Sequence, residues 1–155
     1  MIRRLWHSLL IVLVAATVAS AADTPEPARA APADRDLADA RTRIEAKDWA
    51  GARDVMQKAV ARDPRNAEYH NLLAYSIRHT PNPNMDVVFK HYGEALRIDP
   101  KHKGAHEYIG EAYLLVGNVA KAKEHLAALD KLCFFSCEEF RDLKKAIQEY
   151  EARKK

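Results

Sequence analysis

Much that would name a function at once is scarce in this sequence. Five glycines and seven prolines among 155 residues exclude a collagen-like or low-complexity chain, and two cysteines exclude a disulfide-dense scaffold. No stretch reaches the ~18 consecutive apolar residues of a retained membrane-spanning helix. Neither charge sign dominates: 25 lysines and arginines face 22 acids, and the net +3 is small for a chain that must neutralise phosphates. There is no G-x-S-x-G, no H-E-x-x-H and no glycine-rich phosphate loop, so no catalytic residue, no cofactor and no enzymatic activity are expected. The length leaves room for one modest domain.

The first 22 residues carry their own pattern. Arg3 and Arg4 precede an apolar run from Leu9 to Val18, which closes on Ala19, Ser20, Ala21 and Ala22. That is the layout of a secretory signal cleaved after Ala21 or Ala22; the run is short for a retained anchor, the other reading. Cleavage would leave 23 basic residues against 22 acids, so nucleic acid and an anionic membrane drop out as partners. Residues 23–35, with Pro25, Pro27 and Pro32 and no aliphatic side chain larger than alanine, read as an extended tether. A secreted or periplasmic location is therefore expected, with no membrane insertion after processing.

From Asp36 onward alanine, leucine, lysine and glutamate dominate, which predicts helix throughout. Three segments share one skeleton. The first is Asp48-Trp49-Ala50-Gly51-Ala52, then Ala59 and Asp63-Pro64. The second is Tyr69-His70-Asn71-Leu72-Leu73-Ala74, then Tyr92-Gly93-Glu94-Ala95-Leu96-Arg97-Ile98-Asp99-Pro100. The third is Ala105 to Tyr113, then Gly117-Asn118-Val119-Ala120-Lys121-Ala122. The pattern resembles the tetratricopeptide repeat, with repeats at about 34–64, 67–100 and 103–131. The resemblance implies an all-α solenoid of about three helix hairpins. Ala74 and Gly110 should sit where the helices of a hairpin cross, as Ala52 and Ala122 do from the second helix. Tyr92 and Tyr113 should fill gaps between helices, and Pro64 and Pro100 should end them. Pro64 and Pro100 are 36 residues apart, so two extra residues are expected in the turn Thr80 to Asn84. Residues 132–155 form a cysteine-containing corner and a capping helix, in which Phe140, Leu143, Ile147 and Tyr150 recur at helical spacing.

The same resemblance implies a concave groove that holds a protein or peptide. Its positions fall on Asn71, Tyr75, Arg78 and His79 in the second repeat and on Glu107, Glu111 and Leu114 in the third. Arg41 and Glu45 are their counterparts in the first. The lysine and asparagine clamp that some members use for a C-terminal carboxylate has no matching set. Cys133 and Cys137 admit two readings. One is a structural disulfide, which an exported chain with two cysteines forms most simply. The other is a Cu(I) or thiol-redox pair, since C-x3-C is the spacing of copper-delivery proteins of the Sco type. His102 and His106, four apart, have metal-ligand spacing on a helix, but a packed His106 beside an exposed His102 accounts for them without a metal.

Overall fold

A computed structural model of the chain describes residues 34–154. The expected signal and residues 23–33 of the expected tether lie outside the described residues. Seven helices follow: α1 (Arg35–Glu45), α2 (Trp49–Arg62), α3 (Ala67–Arg78), α4 (Met85–Ile98), α5 (Lys103–Leu115), α6 (Val119–Leu132) and α7 (Glu138–Arg153). No strand occurs among the described residues. Helix α1 starts at Arg35, inside the segment read as tether, because Asp34 caps it: its carboxylate accepts from the N–H groups of Asp36 and Leu37.

Local chemistry sets each start. Asp48, Asn66, Asn84, His102 and Asn118 cap α2 to α6 through their side chains, each satisfying one or, for Asn66 and Asn84, two otherwise orphaned first-turn N–H groups. Each Asp or Asn cap contributes about 1 kcal/mol. The turns α1–α2 and α5–α6 are short and place Lys47 and Gly117 at φ 58° and 79°. The α3–α4 turn runs from His79 to Asn84 and takes up the extra length of the second repeat.

Helix ends repeat as well. The N–H of Asp63 donates to the Ala59 carbonyl at 2.9 Å, and that of Asp99 to the Ala95 carbonyl at 2.8 Å. Each aspartate Oδ1 then accepts an N–H two residues on, from Arg65 or Lys101. After α6 the same place is held by Cys133, whose N–H donates to the Leu129 carbonyl at 2.9 Å. No Asp-Pro follows there. A disulfide to Cys137, with Cα atoms 5.6 Å apart, turns the chain into α7 instead.

Three apolar clusters form the core, each shared by three successive helices. Ala40, Met56, Ala59 and Leu73 join α1, α2 and α3; Ala74, Val88, Tyr92 and Ile109 join α3, α4 and α5; Leu114, Ala122, Leu129, Leu143 and Ile147 join α5, α6 and α7. Each helix packs on the next along the chain, and α1, α3, α5 and α7 also meet in turn, so these odd-numbered helices line one face in sequence. Gly110 differs from its expected role. A Cβ there would lie 2.6 Å from Leu143 Cδ2, so its missing side chain admits the capping helix α7 rather than the partner helix of its own hairpin.

Candidate functional site

The odd-numbered helices carry a cleft of about 380 Å³ whose lining includes Arg41, Glu68, Asn71, Tyr75, His102 and Tyr108. Tyr75 is part of this lining, its ring 4.7 Å from that of Tyr108 and 4.3 Å from that of His79; Trp49 stacks on His79 at 4.6 Å. The buried charge at this end is matched. Glu68 accepts from Arg41 Nη2 at 2.8 Å, from His102 Nε2 at 2.9 Å and from Asn71 Nδ2 at 3.1 Å. Burial works to raise the Glu68 proton affinity, but these three donors win and hold the carboxyl below its ordinary range. The same bond raises His102 above the ordinary histidine value, against the effect of its burial. Since His102 Nδ1 accepts the Ala105 N–H, the ring donates to Glu68 through Nε2.

The sequence-expected Arg78 is not a free cation. Its side chain is 7% exposed, donates to Glu111 Oε2 at 2.8 Å, and sits 5.3 Å from the Tyr75 ring centre and 5.9 Å from that of Tyr108. Burial opposes its charge, and Tyr92 and Glu111 more than offset that and keep the guanidinium protonated. Leu114 is also withdrawn from the groove: α7 packs over it, and it belongs to the core with Leu143 and Ile147. Asn71 is 2% exposed, with Oδ1 unpaired. His79 donates from Nδ1 to the Tyr75 carbonyl, and its burial lowers its proton affinity.

Farther along, the lining turns acidic. A second cleft, about 230 Å³, is formed by Gly104, Glu107, Tyr108, Glu138, Glu139 and Asp142, and a third, about 280 Å³, by Glu107, Glu111, Asp142, Glu149, Ala146 and one cation, Lys145. Glu107 is 8% exposed. Burial, with the carboxylates of Glu111, Asp142 and Glu139, pushes it up to about 8; the Arg78 charge only partly offsets them. Sequence reasoning found Glu107 and Glu111 but missed Trp49, Tyr108, Glu139 and Asp142. Tyr108 sits beside the transferred position Glu107, and the two α7 acids could not be placed without knowing that α7 packs on α5.

Outside the groove the histidines are paired twice in one design. His70 Nδ1 lies 3.0 Å from His91 Nδ1 and its Nε2 3.1 Å from the Pro64 carbonyl; His106 stands 3.0 Å from His125 and 3.1 Å from the Pro100 carbonyl. The proline carbonyl accepts from Nε2–H, which leaves Nδ1 as acceptor for the second imidazole. Burial, then His106, pushes His125 down to about 4. His102 and His106 therefore serve different partners and form no ligand pair. Cys133 and Cys137 are bonded to each other and are not free thiols.

No protein-family model matches the chain, and no curated protein sequence matches it. Among solved structures it is similar to the TPR2B domain of yeast Sti1 in its pHsp70 complex, with a TM-score of 0.67 at 16% identity over 77% of this chain and 95% of that one. It is also similar to the type III secretion translocator chaperone SycD of Yersinia enterocolitica. That match has a TM-score of 0.67 at 15% identity, over 77% of this chain and 83% of SycD. An alternative dimer of SycD gives 0.65 at 17%, over 78% and 92%. At these identities the likeness is one of fold.

Proposed function

We propose that this chain, which has the tetratricopeptide-repeat fold, is a non-enzymatic interaction module that holds a peptide or partner protein along its concave face, outside the cytosol. One observation carries the reading: the odd-numbered helices leave open a cleft with Tyr75 and Tyr108 in its lining, beside a buried amide oxygen, Asn71 Oδ1, that has no partner in the chain. Aromatic side chains bring large contact area at little entropy cost, and an unpaired buried acceptor gains by meeting a donor. The named neighbours support it: one was solved as a complex, and the other is called a chaperone. The location rests on the N-terminal sequence pattern and on the disulfide, which persists in oxidising compartments.

The test is a photo-crosslinker placed in turn at Tyr75, Tyr108 and, on the other face, Lys58, with the protein produced in its own host. A defined adduct at Tyr75 and Tyr108 but not at Lys58 is expected. Equal adducts at all three positions, or none at the tyrosines, would sink the proposal.

A further inference from the structure

The concave face changes character halfway along. Glu68 is paired with two cations and an amide, whereas Glu107 has neither. Among the described residues Glu107 makes no ion pair and accepts no hydrogen bond, although it is nine-tenths buried and opens onto both acidic clefts. Burying an uncompensated carboxyl costs stability. No fold requirement explains that cost, because a glutamine would fill the same space.

The group that would offset such a carboxyl is a cation, and the surroundings narrow its kind. Among the described residues no three His, Cys, Asp or Glu side chains stand close enough to hold a metal ion. The protein already shows what the face accommodates: Arg78 lies against the Tyr75 and Tyr108 rings with its head on the Glu111 carboxylate. Aromatic faces attract such cations, more so when water is excluded. The clefts are also continuous. Gly104, Tyr108 and Glu139 line both the aromatic and the first acidic cleft, and Glu107 and Asp142 line both acidic ones.

Resting on the groove reading above, we infer that the partner is an extended basic segment, whose lysine or arginine side chain crosses Tyr108 and places its charge between Glu107, Glu139 and Asp142. The groups facing Glu107 are Tyr108 and Glu111 on its own helix, Arg78 on α3, and Glu138, Glu139, Asp142 and the exposed Lys145 on α7. The acids, led by Glu111, Asp142 and Glu139, outweigh Arg78 and favour its protonated form, so a bound cation expels a proton from it. Binding then tightens as pH rises from about 6 to 9.

Fluorescence anisotropy on the purified protein tests this with a short peptide alternating lysine and alanine, a norleucine twin, a glutamate twin, spermine and calcium. The lysine peptide should bind at least about tenfold more tightly than either twin. Glu107→Gln with Asp142→Asn should remove that advantage and the pH dependence, while the charge-matched control Glu94→Gln with Glu124→Gln should keep both. Circular dichroism verifies that the variants are folded. Equal binding of the twins, equal loss in the control pair, or spermine or calcium binding without the peptide would overturn the inference. If the norleucine or glutamate twin binds instead and is lost in Tyr75→Ala with Tyr108→Ala, the groove reading survives and only its basic partner fails. If no peptide responds to the tyrosine variants, the groove reading falls as well.

Discussion

The two halves of the concave face are built from the same helices yet treat a buried glutamate in opposite ways. Glu68 is surrounded by Arg41, Asn71 and His102 and is held ionised; Glu107 is surrounded by other acids and is held protonated up to about 8. The difference arises from what each half packs against. The Glu68 half is closed by α1 and by the first turn of α5, which bring an arginine and a capping histidine. The Glu107 half is closed by α7, whose facing residues are Glu138, Glu139 and Asp142. A helix N-terminus tolerates acids well, and α7 is the one described helix with no side-chain cap, so two acids in its first turn suit its dipole. The same acids make the neighbouring cleft negative.

The comparison depends on α7, and the largest expected effect comes from loosening it. Leu143 is fully buried, and its branch fills the space left open by Gly110. Leu143→Ala should cost about 3 kcal/mol, toward the upper part of the usual range if that space cannot collapse. Urea unfolding reads the loss, and NMR titration should show Glu107 returning toward an ordinary glutamate as water reaches it. An unchanged Glu107 in a destabilised variant would mean that α7 is not what sets its environment.

The disulfide comes next. It stands where the other two repeats use an Asp-Pro turn, so it does by covalent closure what Asp63 and Asp99 do by hydrogen bonds. Closing so short a loop contributes about 2 kcal/mol in the chain-entropy picture. Cys133→Ser with Cys137→Ser should lose roughly that amount in thermal unfolding and leave the Glu68 half unaffected. Loss of peptide binding in a variant that remained folded would give the pair a role beyond holding the corner.

Much of this architecture was legible in the sequence, because repeats write their packing into fixed small and aromatic positions. Ala52, Ala74, Ala122, Tyr92 and the two Asp-Pro breaks needed only a consistent period. Groove residues were less legible, since position along a helix does not report what the next helix brings. Arg78 falls at a groove position but turns inward to Glu111, and Leu114 is covered by α7. The histidine pairs had a signal that passed unused: His70 and His106 are spaced by 36 residues, like Pro64 and Pro100, whose carbonyls they bind. In the first repeat the same position is Asp36, paired with Arg62.

Glu107→Gln sharpens the comparison from the acidic side. The folded protein binds this proton more tightly than the unfolded chain does. Stability therefore falls as pH rises from about 4.5 to about 8, and glutamine abolishes the fall. The variant should match the parent near pH 4 and exceed it by on the order of 1–2 kcal/mol at pH 9, after allowing for partial solvation. Chemical unfolding at the two pH values measures it. A variant weaker than the parent at pH 9 would mean that Glu107 has a stabilising partner.

The same chemical change at Glu68 should do the reverse and be smaller. Glutamine there keeps a contact with His102 but loses the charge that three donors share, at a cost of about 1 kcal/mol near neutrality. The pH dependence has two sides. The lowered Glu68 contributes above its ordinary value of 4.5 and loses that contribution as pH falls through its depressed one. The raised His102 contributes fully below 6.5 and loses it as pH climbs through its elevated value. The parent's advantage over Glu68→Gln is therefore greatest between those ordinary values and shrinks on both sides, while that of Glu107→Gln over the parent grows from about pH 4.5 to about 8 and then levels off. Two glutamates on neighbouring front helices, each changed by one atom, should thus shift stability in opposite directions. The same sign for both would mean that the acidic half is compensated by groups the groove does not display, and the case for a basic partner would lose its physical ground.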